Sequence, residues 1–113
     1  DILTNNADRK SGHLILDTHG QVWGIDNALC FNSEEKLRTV IWDFAGKRVP
    51  EHWLFDIQRV RDCLLNQEES AATFLACLFE EEATALIARS NYLLDHPVLP
   101  EMYPWRCVPW PLV

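Results

Sequence analysis

Three side chains near the start of the chain have the types and spacing to handle a phosphate-bound metal: Asp8, His13 and Asp26. Asp8 and His13 lie in "NNADRKSGH" (5–13), a polar stretch directly before an apolar run, and Asp26 ends "QVWGID" (21–26). If the intervening turn is centred on Asp17 to Gly20, antiparallel pairing lays residue 13 beside residues 24–26. One hairpin then delivers Asp8, His13 and Asp26 to a common point. Two carboxylates and an imidazole at a strand end suit Mg²⁺ or Mn²⁺ with coordination room left for a substrate phosphate. Each residue also has a plainer reading. Asp8 and Arg9 could form a local loop salt bridge, Asp26 a strand-end Asx turn, and His13 an ordinary half-buried strand position. His19 belongs to the turn, and His52 and His96 fall at a helix start and a helix end as solvated or capping residues.

The elements that would hold these residues follow from the change in apolar period. "HLILD", "THG" and "QVWGID" form β-rich run, turn cluster and β-rich run, a hairpin pattern. Beyond it the spacing turns helical. "SEEKLRTVIWDFAG" places Leu37, Val40, Ile41 and Phe44 on one face, with Ser33 as N-cap and Gly46 as C-terminal stop. "VPEHWLFDIQRVRDCLLN" starts at Pro50 and carries Trp53, Leu54, Ile57, Val60 and Leu64 at helical spacing. "EESAATFLACLF" and "EEEATALIARSNYLLDH" continue with Phe74, Leu75 and Leu78, then Leu86, Ile87, Leu93 and Leu94. The acidic run Glu80 to Glu82 suits a first helical turn or, as the preferred reading, a solvated face. Five of the six prolines follow residue 96, which excludes helix or central strand from the tail. Tyr103, Trp105 and Trp110 are expected to pack that tail back over the helices, and Trp23 and Trp42 to lie in the core; a polyproline-type ligand for a partner is the other reading of the tail.

Composition narrows the function classes. The 113 residues, 48% of them hydrophobic, show no repeat or composition break and indicate one domain or part of one. A net charge of −7 has the wrong sign for coating nucleic acid or an anionic membrane surface. No apolar run approaches the roughly 18 residues of a membrane span, and nothing at the N-terminus reads as a targeting peptide, so a cytoplasmic location is expected. Cys30, Cys63, Cys77 and Cys107 lack metal-finger spacing and are expected to be reduced and mostly buried, with two disulfides as the alternative.

The wording "NADRKSGHLILDTHGQVWGID" resembles the catalytic core of the phosphatidylinositol 3-/4-kinase-like family, whose loop reads D-R-H-x-x-N before a hairpin and H-I-D-F-G. "NNADRK", "WGID", "KLRTV" and the "PWP" ending are similar to an actinobacterial-type branch of that family. The resemblance covers essentially the whole chain and is strongest over residues 5 to 48. It implies an ATP-dependent phosphotransferase using ATP with Mg²⁺ or Mn²⁺, a nucleotide and an unknown hydroxyl acceptor being the partners. Asp8 would orient or deprotonate the acceptor hydroxyl, and Asp26 would bind the metal that bridges the nucleotide phosphates. Arg9 would brace the catalytic loop or neutralise phosphate charge, with Lys10 beside it. Asn5 and Asn6 would stand on the cofactor-binding side and hydrogen-bond the loop backbone. His13 occupies the place of a metal-binding Asn, Lys10 that of a loop His, and Asn27 that of the Phe after the metal-binding Asp; the third substitution points away from a regulated switch.

The fold expected is therefore α+β, mainly α with a short N-terminal β-hairpin, the C-lobe of a protein-kinase-like, PI3-/4-kinase-like fold. It forms a single domain over 1–113, divided into a loop-and-hairpin segment (1–31), a helical part (32–96) and a Pro/Trp-rich tail (97–113). No Gly-rich phosphate loop is present, so the resemblance implies an N-lobe that would carry the second phosphate cradle and is expected to be missing here, and the isolated chain is expected to be inactive. Its exposed apolar surface would favour a homodimer. A pseudokinase or protein-interaction module and, less favoured, a metal-dependent phosphohydrolase using Asp8, His13 and Asp26 are the alternatives.

Overall fold

The computed structural model describes all 113 residues and is mostly helical with one small antiparallel hairpin, an α+β arrangement. A short 3-10 turn (Ser11–His13) leads into β1 (Leu14–Leu16), which pairs with β2 (Val22–Gly24) in the register Leu14 to Gly24, Ile15 to Trp23 and Leu16 to Val22. The expected turn is the one formed. Asp17 N–H donates to the Gln21 carbonyl, and Gly20 takes φ 80°, a conformation glycine adopts without steric cost. The Asp17 carboxylate accepts from the backbone N–H groups of His19 and Gln21 and from the Trp23 indole.

Three helices follow: α1 (Glu51–Leu65), α2 (Glu69–Ala76) and α3 (Glu80–Asp95). Pro50 stands immediately before α1, where its missing N–H costs nothing. Glu80 and Glu81 are solvated in the first turn of α3, while Glu82 caps it by accepting the Phe79 N–H at 2.9 Å. Helix α1 packs on α3 and on α2 around Leu64, Ala71 and Leu86, with Leu3, Phe31, Phe74 and Ile87 against them. Phe31 and Phe74 meet edge to face at 5.3 Å. Arg89 of α3 fastens the N-terminal segment to this core, its Nε donating to the Leu3 carbonyl at 2.8 Å and its Nη1 to that of Asn32 at 3.3 Å.

The segment 33–46 is not a helix. The backbone of residues 36–40 is drawn out along the loop at 5–9, where Arg38 N–H donates to Asn6 O, Arg9 N–H to Arg38 O and Val40 N–H to Arg9 O, a parallel bridge between Arg9 and Thr39. Long-range pairing has overridden the helical periodicity. Leu37 is buried as a core residue, but Phe44 is exposed and Gly46 ends a turn rather than a helix, with φ 74°.

The tail also departs from expectation. It returns over the 37–39 segment, and only Val98, Pro100 and Tyr103 share a cleft with Ala88, Arg89, Tyr92 and Leu93 of α3: Thr39 N–H donates to Cys107 O, the Tyr103 hydroxyl donates to the Leu37 carbonyl, and Cys107 and Pro109 are buried. Tyr103 meets Trp42 edge to face, yet Trp105 and Trp110 point largely into solvent. Trp42 is half-buried, whereas Trp23 lies exposed on the hairpin instead of in the core. All four cysteines are free thiols, and of these Cys107 alone is buried, Cys77 being exposed. His19, His52 and His96 sit in the turn, at the start of α1 and just past α3, as expected. No helix is long and apolar enough to cross a membrane.

Candidate functional site

The candidate site forms where the loop 5–10 meets the base of the hairpin. Asn5, at φ 54°, is completely buried, and its amide fixes the facing backbone. Nδ2 donates to the carbonyls of Asn32 (2.9 Å) and Glu34 (2.6 Å), and Oδ1 accepts the Lys36 N–H at 3.0 Å. Asn6 is 1% exposed; its Oδ1 accepts the Asp8 N–H and its Nδ2 donates to Asp1 Oδ1. These contacts make both asparagines scaffold for the loop. A nucleotide cannot reach amides engaged and covered in this way, so the cofactor contact expected of Asn5 and Asn6 is not available to their side chains in this conformation.

Arg9 is likewise internal. Nε donates to Asp1 Oδ1 at 2.9 Å, Nη1 to the Ile25 carbonyl at 2.7 Å and Nη2 to Asn27 Oδ1, and the guanidinium lies over Gly24. Of its two expected roles, bracing the loop is therefore the one its contacts serve. A buried guanidinium with three kinds of acceptor holds a fixed position and cannot swing to a phosphate. The bracing network runs through Asp1, whose second carboxylate oxygen accepts from Thr39 Oγ1 at 3.0 Å, and through Asn27. Sequence reasoning gave no role to Asp1, which belongs to no motif, or to Thr39, although Thr39 stands within "KLRTV". Asn27 was noticed only as a departure, although an amide oxygen next to Asp26 is what ties the hairpin exit to Arg9.

The hairpin delivers His13 and Asp26 to one place. Ile25 N–H donates to His13 O at 2.9 Å, and Asp26 follows at φ 53°, which turns its carboxylate back to Oδ2–Nε2 3.4 Å from the imidazole. The His13 ring is mostly buried, while the Asp26 carboxylate is 59% exposed and has room for further contacts. Lys10 N–H points at His13 Nδ1, 3.4 Å away. With Nδ1 as acceptor, the neutral ring carries its proton on Nε2 and donates toward Asp26.

Asp8 does not join this pair. Its carboxylate lies 3.5 Å from Lys10 Nζ, and no three His, Cys, Asp or Glu side chains gather closely enough to hold a metal ion. The common point for Asp8, His13 and Asp26 is thus replaced by two separate pairs, Asp8–Lys10 on the loop and His13–Asp26 at the hairpin base. Mg²⁺ is commonly held by one or two carboxylates with phosphate oxygens and water completing the octahedron, and an open Asp26 fits that role. His13 fits it less well, because ligation through Nε2 moves the ring proton to Nδ1 and breaks the contact from Lys10.

No family model and no solved structure matches the chain. Among curated proteins, it is 42% identical over 112 residues to Protein Rv2133c of Mycobacterium tuberculosis. The alignment takes in 98% of this chain but 39% of that protein, so the chain spans about two fifths of the length of the curated relative it matches.

Proposed function

We propose that the chain is the C-terminal lobe of a PI3-/4-kinase-like phosphotransferase that moves the γ-phosphoryl group of ATP to a hydroxyl acceptor, releasing ADP. The observation that carries this reading is the joining of loop and hairpin through Arg9, with an Asp8–Lys10 pair on the loop and a His13–Asp26 pair at the hairpin base. Asp8 orients the acceptor hydroxyl and takes its proton, and Lys10 offers a cation to the transferred phosphoryl group. Asp26 holds the divalent ion, with His13 fixing the carboxylate. Bound Mg²⁺ or Mn²⁺ would neutralise phosphate charge as transfer proceeds.

Support for a lobe rather than a complete enzyme comes from the surface. The chain exposes 7772 Å², against about 6400 Å² for a globular monomer of 13.1 kDa. One observation favours the second reading, a pseudokinase or interaction module: Asp26 and His13 are the only close pair at the hairpin base, with no third ligating side chain. The same finding weighs against a metal-dependent phosphohydrolase, which gathers more ligands.

Calorimetric titration of ATP with Mg²⁺ or Mn²⁺ into a longer natural polypeptide containing this segment tests the proposal, beside its Asp26→Asn variant and the 113-residue chain. Metal-dependent binding lost in the variant and in the short chain is expected. Absence of heat from all three sinks the kinase reading and leaves the interaction module.

A further inference from the structure

The tail reaches the candidate site at Ser11. Its anchor lies further back: Cys107 and Pro109 are buried, and Thr39 N–H donates to Cys107 O at 3.1 Å, which fixes the tail to the segment that pairs with Arg9. Beyond that anchor the side chains turn outward, Trp110, Leu112 and Val113 being 76%, 45% and 81% exposed. Apolar burial therefore does not account for the course of residues 110–113. A backbone contact does: Ser11 N–H donates to Leu112 O at 3.0 Å, and Ser11 Oγ lies 3.4 Å from the same oxygen.

The turn Ser11–His13 has little else to hold it. None of its residues is buried, and a Cβ on Gly12 would meet nothing within 4 Å. Leu112 O is its hydrogen-bond partner from outside residues 5–26. One peptide unit carries that contact into the site. The N–H of the Lys10–Ser11 unit is held by Leu112, and its carbonyl accepts His13 N–H at 3.1 Å. Because the unit is planar, fixing its N–H also fixes the direction of its carbonyl. The N–H of Lys10, the same residue, points at His13 Nδ1.

We infer that the tail is a latch on the candidate site, with Ser11 and Leu112 as positioning residues that hold the Lys10–Ser11 peptide in the orientation His13 requires. Residues 110–113 bury no side chain, so the latch opens without disturbing the Cys107 anchor. Its bearing on phosphoryl transfer rests on the kinase reading, whereas its hold on His13 does not.

Amide hydrogen exchange and long-range ¹⁵N–¹H spectra of the metal-free chain test it, beside the chain cut after Pro109, Ser11→Pro and Ser11→Ala. Proline suits residue 11, the first position of the turn, because Lys10 at φ −97° and ψ 162° already has the extended backbone that precedes proline. It removes the N–H, while alanine removes only the hydroxyl. The Ser11 amide should exchange about two- to tenfold more slowly in the parent than in the cut chain, the range that one hydrogen bond supplies. The His13 ring should pass from the Nε2–H form toward a mixture of tautomers in the cut chain and in Ser11→Pro, but not in Ser11→Ala. Protection of the Thr39 amide, which reports the Cys107 anchor, should persist in all of them. Should Ser11→Pro lose that protection, the cut chain decides by itself. A Ser11 amide that exchanges equally fast in parent and cut chain overturns the inference, and so does a His13 ring unchanged by the loss of Leu112. Neither readout involves nucleotide or metal, so this result and that of the ATP titration stand or fall separately.

Discussion

His13 Nε2 lies 3.4 Å from an Asp26 carboxylate oxygen, brought there by the hairpin and by the positive φ of Asp26. With Lys10 N–H on Nδ1, the metal-free ring is expected in the Nε2–H form, which long-range ¹⁵N–¹H correlation spectra distinguish directly. Mn²⁺ should broaden the His13 ring signals, and Asp26→Asn should weaken that effect at least tenfold, since the carboxylate is the main oxygen donor. Unchanged broadening in the variant would place the ion elsewhere.

Arg9 gives the largest stability prediction. Its guanidinium side chain is 7% exposed and its partner Asp1 14%, so removing the cation strands a carboxylate that Thr39 and Asn6 only partly satisfy. Arg9→Ala should cost about 3–5 kcal/mol in urea unfolding. Arg9→Lys keeps the charge but not the three-way fork, and is expected to fall between that variant and the parent. Trp23 fluorescence should report the hairpin loosening in both, because Arg9 also holds Ile25 O and Asn27.

The hairpin, its turn and the three helices after Pro50 were legible because each is specified locally, by turn chemistry and by apolar spacing over whole turns. The segment 33–46 was not. Leu37, Val40, Ile41 and Phe44 do fall at helical intervals, but Asn5 and Asn6 present side-chain and backbone acceptors that extend residues 36–40 instead. A single sequence does not announce an interaction spanning some thirty positions. In the site, the nearness of His13 and Asp26 followed from hairpin register, whereas the positive φ that turns Asp26 onto the imidazole and the pairing of Asp8 with Lys10 depend on loop conformation. Arg9 illustrates the limit best: bracing and phosphate contact were both expected of it, and only its burial and its bonds to Asp1, Ile25 and Asn27 separate the two.

Asp17 predicts a pH dependence. The Trp23 indole first, then the Gln21 and His19 amides, hold its carboxyl below the usual carboxylate range. A depressed native pKa means that the unfolded chain binds the proton more tightly, so the stabilisation is present above the unfolded value of about 3.9 and is lost as pH falls through the native value. The urea midpoint of the parent should therefore drop more steeply below about pH 4 than that of Asp17→Asn, the two curves running parallel at neutral pH. Equal slopes in acid would show that Asp17 makes these contacts equally in the unfolded chain.

Gly20 and Gly46 separate backbone strain from crowding. Both hold positive φ, 80° and 74°, but a Cβ at Gly20 meets nothing within 4 Å, while one at Gly46 runs into Glu101 Oε1. Gly20→Ala should cost about 1–2 kcal/mol from the left-handed conformation alone. Gly46→Ala should cost that and up to about 1 kcal/mol more, because the carboxylate is the far end of a flexible side chain and can move aside. Adding Glu101→Ala removes the obstacle, so the double variant should return to the cost of Gly20→Ala as measured by urea midpoints. If Glu101→Ala gives no relief, the extra loss comes from the backbone, where Gly46 N–H donates to Leu99 O and Leu99 N–H returns to Lys47 O, each at 2.9 Å.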